Sequence, residues 1–409
     1  MTMRILRLIP VFAAALASLT ISQIAARGEE RKSIRIGYAL SLTGVNVGGA
    51  GALVRPNYRM WVAEVNDAGG IVLSRTGKRF PIEIIEYDDE STAEGAIRGV
   101  HRLINEDKVD FILPPWGTGL NLAVAPQLNA AGYPDIVTTA LVDHVPDLVK
   151  RWPNSFWLLG TASDNVHALA QVLSVLREQS KIGSRIAMAN VADQFGIDLS
   201  KTARSAFRKA KFELAFDRPY PVGMADMRPV LTDIMKTDAD IFVAFSYPPD
   251  TLMLTAQSIE LNFNPKVFFA GVGTAFPLFR DKFGAKVEGV MGMGGWHGDA
   301  PESRSYLRRH VAMFGQEPDR WASPATYAGL QMLQQAIEHV GDIDRASVIR
   351  ELQSGTFQTV LGTVKLENNL YKGGYGVGQW QGGEFYGIAP ATLPGARDVE
   401  FPKPNWSSK

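Results

Sequence analysis

The 409-residue chain is 46% hydrophobic and 21% charged, an ordinary globular composition, and it is long enough for two domains. Its 42 basic residues balance 42 acidic ones, so the charge does not point to nucleic acid or to an anionic membrane as a partner. The chain has no cysteine, which excludes disulfide bonds, thiolate metal sites and a lipidated N-terminal cysteine.

The first 26 residues have the pattern of a secretory signal peptide. Arg4 and Arg7 precede a mostly apolar run at 8–21, and small residues up to Ala26 offer a cleavage site. The run is shorter than the ~20 residues that a membrane-spanning helix requires, so we expect a cleaved signal and not an anchor. An exported chain without a lipid anchor is expected in the periplasm, with no membrane insertion of the mature chain.

From residue 33 onwards, strand-like and helix-like segments alternate. The first half predicts a strand at 34–40, a Gly-rich loop at 41–51, a helix at 53–68, a strand at 80–87, a helix ending near 106, and strands at 109–113 and 134–137. The second half predicts strands at 185–190, 212–216, 241–245, 266–270 and 289–293, and helices at 196–211, 227–236, 250–262 and 324–340. Strands separated by helices indicate right-handed βαβ units, so we expect two α/β units with parallel sheets. The Gly- and aromatic-rich tail at 359–388 predicts short antiparallel strands that pack across both.

Small or aromatic residues follow most of the predicted strands. These loops are Gly48–Gly51, Trp116–Gly119, Thr138–Leu141, Asp193–Gly196, Ser246–Pro249 and Gly271–Phe276. In open parallel sheets, ligands bind at the carboxyl ends of the strands. Gly and Thr before a helix can offer N–H groups and a hydroxyl to an anion at the positive end of the helix. One such loop is explained by turn chemistry alone, but six at one edge favour a binding cleft for a carboxylate.

Motifs for catalysis, cofactors and metals are missing. The sequence has no G-x-S-x-G nucleophile elbow and no phosphate-binding P-loop, and the glycines at 48–51 and 271–273 do not fit G-x-G-x-x-G. Asp88, Asp89 and Glu90 are interpreted as a strand end with a helix cap. The six histidines lack metal-ligand spacing. We therefore expect a binding protein without metal or cofactor, and not an enzyme.

Six segments along the chain carry a resemblance to a known family. They are Ile34–Gly44 (IRIGYALSLTG), Asn66–Gly70, Glu86–Asp89, Trp116–Pro134, Asp193–Gly196 and Ser323–Ala328. In order and spacing, the sequence from 33 to 388 resembles the branched-chain amino-acid-binding family of periplasmic ABC-transporter receptors. The resemblance implies the type I periplasmic-binding protein fold, an α/β fold of two Rossmann-like lobes with parallel sheets, joined by three crossing segments and closing like a hinge. It assigns 33–152 plus 297–372 to lobe I and 153–296 plus 373–409 to lobe II.

The resemblance also implies a ligand-binding set. From lobe I it comprises Trp116, Gly117, Thr118, Thr139, Ala140 and Leu141, and from lobe II Phe195, Tyr247, Val272 and Gly273. Thr118 and nearby amides would bind a carboxylate, where family members use a Ser-Ser or Ser-Thr turn, and Trp116 would form a wall of the pocket. The implied partners are a small carboxylate ligand and an inner-membrane ABC permease, and we expect a monomer.

The sequence departs from the family pattern where an amino group would bind. Amino-acid receptors of the family usually carry an acid in the loop after the strand at 266–270, but Ala270–Thr274 contains none. Leu141 also stands near where a Ser or Thr would help to hold an amino acid. A buried ammonium group without a carboxylate partner would be costly. The glycines at 48–51 replace an aromatic loop and are expected to leave room, so a larger, amine-free acid such as an aromatic acid is the expected ligand.

Two alternatives stay open at this point. A branched-chain or other amino acid would fit if Asp193 or Asp250 supplied the missing carboxylate. The same fold could also act as a periplasmic ligand sensor for a regulatory receptor, and the sequence does not separate sensing from transport.

Overall fold

The structure is a computed structural model that describes residues 31–298 and 301–407, so the predicted signal peptide at 1–26 lies outside the described residues. Up to residue 157 the elements are β1 (Ile34–Leu40), a helical turn (Val47–Gly49), a π-helical turn (Ala50–Val54), α1 (Arg55–Asp67), β2 (Ile71–Leu73), β3 (Lys78–Phe80), β4 (Ile82–Asp88), α2 (Ala93–Asn105), β5 (Phe111–Leu113), α3 (Thr118–Ala130), β6 (Asp135–Val137), α4 (Val145–Arg151) and β7 (Ser155–Trp157). The next are α5 (Ala162–Glu178), β8 (Arg185–Val191), α6 (Gln194–Lys209), β9 (Glu213–Tyr220), α7 (Arg228–Met235), β10 (Ile241–Phe245), α8 (Pro248–Glu260), β11 (Val267–Ala270), α9 (Pro277–Phe283), a 3₁₀ turn (Gly284–Val287) and β12 (Met291–Gly292). The last are α10 (Pro301–Phe314), α11 (Ala322–Val340), α12 (Arg345–Ser354), β13 (Phe357–Thr359), β14 (Gly362–Val364), β15 (Val377–Gln381) and β16 (Glu384–Ala389).

Two parallel sheets organise the chain, as the sequence predicts. The first has the strand order β4-β1-β5, with the parallel pair β6-β7 as a separate small sheet; we call the unit around these strands lobe I. The second has the order β16-β15-β12-β11-β10-β8-β9, and we call the unit around it lobe II. Strands β8 to β12 are parallel, whereas β15 and β16 add an antiparallel edge, which agrees with the predicted character of the tail.

The chain passes between the two sheets three times. The crossings lie between β7 and α5, between β12 and α10, and between β14 and β15. After the second crossing, α10 and α11 return to pack on α1, where Tyr306 donates a hydrogen bond to Asn57 Oδ1 (2.7 Å) and Trp61 Nε1 donates to Gln334 Oε1 (3.1 Å). The fold is therefore that of two Rossmann-like lobes joined by three crossing segments. The residues at which the chain changes lobe, near 152, 296 and 372, stay a prediction.

Five helices were not among the predicted elements: α4, α5, α9, α10 and α12. The sequence carries a clear start signal for α5, because Thr161 and Asp164 form a capping box: Thr161 Oγ1 accepts from the Asp164 N–H (3.1 Å), and Asp164 Oδ2 accepts from the Thr161 N–H (2.9 Å). Helix α12 also begins at a capping aspartate, Asp344, which accepts from the Ser347 N–H (3.0 Å). These capping residues satisfy backbone donors that have no partner inside the helix.

Candidate functional site

The carboxyl ends of β5, β6, β8, β10 and β11 face one another across the space between the lobes. A small cavity of about 20 Å³ lies there, and we call it the cleft cavity. Its lining residues are Leu53, Trp116, Gly117, Thr118, Thr139, Leu141, Leu159, Phe195, Tyr247, Val272, Trp321 and Ala322. None of these described lining residues carries a formal charge, so a charged group bound here would rely on hydroxyls, backbone amides and helix dipoles.

A rigid turn at 115–117 forms the lobe I side of the cleft cavity. Gly117 has φ 94° and ψ 151°, a conformation that essentially only glycine adopts. The Thr139 hydroxyl accepts from the Gly117 N–H (3.1 Å) and donates to the Pro115 carbonyl (3.2 Å). Asn121 Nδ2 donates to the carbonyls of Pro115 (2.9 Å) and Gly117 (2.8 Å). The turn is therefore held from two sides.

The N-terminus of α3 offers hydrogen-bond donors to this cavity. The first N–H groups of a helix have no partner within it, and no side chain caps α3. By contrast, Asp193 caps α6 through the Gly196 N–H (3.0 Å), and Asp319 caps α11 through the Ala322 and Ser323 N–H groups (2.8 and 2.7 Å). Thr118 is only 1% exposed, and its Oγ1 accepts from the Leu141 N–H (3.1 Å), which leaves the hydroxyl proton for another acceptor. Hydroxyl and amides together suit an anion at the positive helix end.

Aromatic rings from both lobes meet across the cleft. The Trp116 ring lies 5.2 Å from the Tyr247 ring, and Tyr247 stacks on Phe195 at 5.0 Å. A Cβ atom at Gly49 would lie 2.2 Å from Trp116 Cζ2, so only glycine leaves space for the indole there. The expectation that the glycines at 48–51 leave room for the ligand needs correction, because the Trp116 side chain itself occupies the space beside Gly49.

Neither acid considered for binding an ammonium group lines the cavity. The Asp193 Oδ2 atom accepts from the Tyr247 hydroxyl (2.6 Å), and burial raises the pKa of Asp193 although hydrogen bonds from Gly196 and Tyr247 oppose the shift. Asp250 accepts from the Tyr220 hydroxyl (3.2 Å), and burial raises its pKa to about 6. We call the rings of Trp116, Phe195 and Tyr247 the aromatic wall, and both carboxyl groups are already hydrogen-bonded behind it.

Eight of the ten predicted site residues line the cleft cavity, and Ala140 and Gly273 do not. Ala140 is buried beside the turn, and Gly273 packs against α8, where an added Cβ would lie 2.9 Å from Pro248 Cα. Four further lining residues were not predicted: Leu53, Leu159, Trp321 and Ala322. The sequence does mark Trp321 as a candidate, because it is an aromatic residue directly before a long helix. Nothing in the sequence marks the aliphatic residues Leu53, Leu159 and Ala322 as site residues.

Asp88 and Asp89 hold a loop of lobe I together. Asp88 Oδ1 accepts from the Leu42 N–H (3.1 Å), and Asp89 Oδ1 accepts from the Ser41 hydroxyl (2.6 Å). Within residues 31–298 and 301–407, no group of three or more His, Cys, Asp or Glu side chains is placed to hold a metal ion. None of the helices in those ranges is long and apolar enough to cross a membrane.

A two-lobed α/β architecture with a cleft between the carboxyl ends of its strands defines the hinged ligand-binding class of proteins. A family model described as periplasmic binding protein matches residues 33–384, and the chain belongs to this family. Members are solute-binding proteins, and the family implies a periplasmic location.

Individual relatives agree with this membership. The Leu/Ile/Val-binding protein homolog 7 of Brucella suis is 22% identical over 347 residues, covering 80% of this chain and 84% of the relative. The substrate-binding protein LivJ of Streptococcus pneumoniae, in complex with isoleucine, superposes with a TM-score of 0.73 at 20% identity, covering 87% of this chain and 98% of LivJ. A solute-binding protein of R. palustris in complex with benzoate gives a TM-score of 0.76 at 17% identity, covering 90% and 98%. At these identities the structural likeness shows the fold alone.

Proposed function

We propose that this chain is an exported receptor that binds a small amine-free carboxylic acid, such as an aromatic acid, and delivers it to an inner-membrane ABC permease. The ligand carboxylate meets the N-terminus of α3 and the Thr118 hydroxyl. Trp116, Phe195 and Tyr247 enclose its apolar body, and Val272 contributes to the lobe II wall. The protein binds and releases the ligand without converting it, and no metal or cofactor takes part.

The observation that carries the proposal is a cleft cavity that joins an uncapped helix N-terminus to a lining without Asp or Glu in the described residues. A carboxylate gains charge-assisted hydrogen bonds there, which contribute about 1.5–3 kcal/mol each. An α-ammonium group would lose its hydration without meeting a negative partner, which is unfavourable for a buried charge. The benzoate-bound relative supports a ligand of this kind.

Cellular context belongs to the same proposal. We infer a cleaved signal at 1–26, a monomeric mature chain in the periplasm, and lobes that open and close about the three crossings. The hydrogen bond from the Thr202 hydroxyl of α6 to Asp143 Oδ2 joins the two sides of the cleft and supports closure as the ligand-bound form.

An amino-acid receptor is the second candidate, favoured by the Leu/Ile/Val-binding relatives and the isoleucine-bound LivJ. It requires Asp193 to reach the ligand, and its Oδ2 atom is bonded to the Tyr247 hydroxyl. An amino-acid ligand would therefore need that hydrogen bond to be exchanged.

A thermal-shift screen of the chain from residue 27 separates the two candidates. One ligand group contains leucine, valine and phenylalanine, and the other contains benzoate, 3-phenylpropanoate and aliphatic acids. A ligand at 100 times its dissociation constant adds about 2.7 kcal/mol of stability, which is a visible shift. Stabilisation by amine-free acids alone supports the proposal, whereas stabilisation by amino acids alone refutes it.

Paired Thr118 variants then test the site itself. Thr118→Val removes the hydroxyl at nearly constant shape and is expected to weaken acid binding about 10- to 100-fold, the equivalent of one charge-assisted hydrogen bond. Thr118→Ser keeps the hydroxyl and should stay within a few-fold of the native affinity. Equal affinities for both variants would show that the carboxylate binds elsewhere.

A further inference from the structure

A second and larger cavity lies beside the three crossings between the lobes. It has a volume of about 460 Å³, and we call it the hinge cavity. All three crossings contribute lining residues, from 158–159, 294–297 and 371–375. Arg320, Ala325 and Val360 are among the residues that complete its walls.

The hinge cavity adjoins the cleft cavity. Leu159 and Trp321 line both spaces, so these two side chains form the boundary between them. Small-molecule sites usually have about 300–1000 Å³, a range that includes the hinge cavity at about 460 Å³, whereas the cleft cavity alone has only about 20 Å³. A ligand of more than minimal size would have to extend past Leu159 and Trp321.

The walls of the hinge cavity suit an uncharged arm. Trp296, Trp321, Tyr371 and Tyr375 present aromatic surface, and Trp296 Nε1 already donates to the Val360 carbonyl (3.3 Å). Aromatic surface of this kind favours an apolar or aromatic group.

The charged groups beside the hinge cavity are paired with one another. Arg320 is 5% exposed, and its Nη2 atom contacts Glu317 (2.8 Å) and Glu384 (3.3 Å). Glu384 also contacts Arg280 Nη1 (3.7 Å), so two carboxylates face two guanidinium groups. Among the described residues the buried Arg320 Nη1 atom has no hydrogen-bond partner, which leaves one donor for an acceptor on the ligand.

We propose that the ligand is an elongated carboxylic acid that occupies both cavities. Its carboxylate lies at Thr118, and its apolar or aromatic arm passes between Leu159 and Trp321 into the hinge cavity. This assignment rests on the proposed function, since it takes the carboxylate position from it, and adds the length of the ligand.

Calorimetric titration of the native chain with benzoate, 3-phenylpropanoate and 5-phenylpentanoate tests the length. Each buried methylene is expected to improve affinity up to about four-fold, so 3-phenylpropanoate, with two more methylenes, should bind up to about 16-fold more tightly than benzoate.

Two substitutions at one glycine test the location of the arm. A Cβ atom at Gly374 meets no atom within 4 Å, so Gly374→Ala fits, whereas Gly374→Phe adds a ring at the cavity wall. The readout is the affinity ratio of 5-phenylpentanoate to benzoate, which should fall towards one in the Phe variant and keep its native value in the Ala variant. Ala325→Leu narrows the cavity from α11 and should lower the same ratio.

The possible outcomes separate the two proposals. If benzoate binds but added length gives no gain, or if the ratio is native in both Gly374→Phe and Ala325→Leu, the hinge cavity is not part of the ligand site and the proposed function stands. If no carboxylate binds the native chain, the proposed function fails and this inference fails with it. The inference is supported if the affinity ratio of 5-phenylpentanoate to benzoate falls in Gly374→Phe and in Ala325→Leu but not in Gly374→Ala.

Discussion

The buried carboxyl group of Asp135 should make the stability of lobe I depend strongly on pH. Asp135 begins β6, is 2% exposed, and has no hydrogen-bond partner for either carboxyl oxygen among the described residues. Burial raises its pKa from 3.8 to about 7. Between these values the unfolded chain ionises this group while the folded chain keeps it neutral, so the folded state binds more protons. Its stability contribution is complete below pH ~4 and is lost as the pH rises to about 7.

The size of this change in unfolding free energy follows from the pKa shift of Asp135. A difference of about three pKa units at about 1.4 kcal/mol each corresponds to ~4 kcal/mol of unfolding free energy lost between pH 4 and pH 7. Asp135→Asn cannot ionise, so its stability relative to the native chain should rise by up to this amount over the same range. The constant cost of burying an amide leaves the pH dependence untouched.

Urea unfolding followed by tryptophan fluorescence at pH 4.5, 6 and 7.5 measures the difference. Asp147→Asn, at a carboxyl group that is 76% exposed on α4, is the matched control for the removal of one carboxyl group. If the free-energy difference between Asp135→Asn and the native chain stays constant within ~0.5 kcal/mol from pH 4.5 to 7.5, the argument from burial is wrong.

Three further variants test the cleft. Gly117→Ala forces a side chain into a strained backbone region and should cost about 1–3 kcal/mol in urea unfolding, whereas Gly119→Ala, inside α3, should cost less than ~1 kcal/mol; equal costs would contradict the strain argument. Val272→Glu places a carboxylate in the cavity wall and should weaken acid binding at least ten-fold in calorimetry while admitting amino acids; unchanged selectivity would show that residue 272 does not face the ligand. Thr202→Val removes the hydrogen bond to Asp143 and should enlarge the radius of gyration of the ligand-bound chain in X-ray scattering and lower acid affinity about three-fold, with Thr202→Ser unaffected; no change in either would remove this contact from the closing mechanism.

The local pattern of apolar runs between polar turns was sufficient to predict the two sheets. The buried strand β10 lies at the predicted residues, 241–245, because a short apolar run between polar turns has few other ways to be buried. The carboxyl ends of parallel strands meet at one edge of each sheet, which placed the loops of each lobe on one side. The family resemblance then implied that Trp116, Thr118 and Tyr247 share one cleft, and all three line the cleft cavity.

Contacts between distant parts of the chain could not be predicted from the pattern. The fit of Trp116 beside Gly49 depends on two loops 67 positions apart, and no periodicity encodes it. Leu159 and Trp321 meet at the boundary of the cavities only because the chain returns to lobe I after its second crossing. Such packing is decided by the tertiary fold and not by local preference.

The hydrogen bonds of the aromatic wall strengthen the case for an amine-free ligand. The Tyr247 ring touches both Trp116 and Phe195, and its hydroxyl is fixed by Asp193. If Asp193 turned to an ammonium group, the hydroxyl would lose its acceptor, and a buried polar group without a partner costs about 1–3 kcal/mol. A carboxylic acid needs no such exchange, because the uncapped N–H groups of α3 and the Thr118 hydroxyl proton are available to it. The proposed ligand, an apolar body with one negative end, therefore leaves the wall as it is, whereas an amino acid would have to rearrange it before binding.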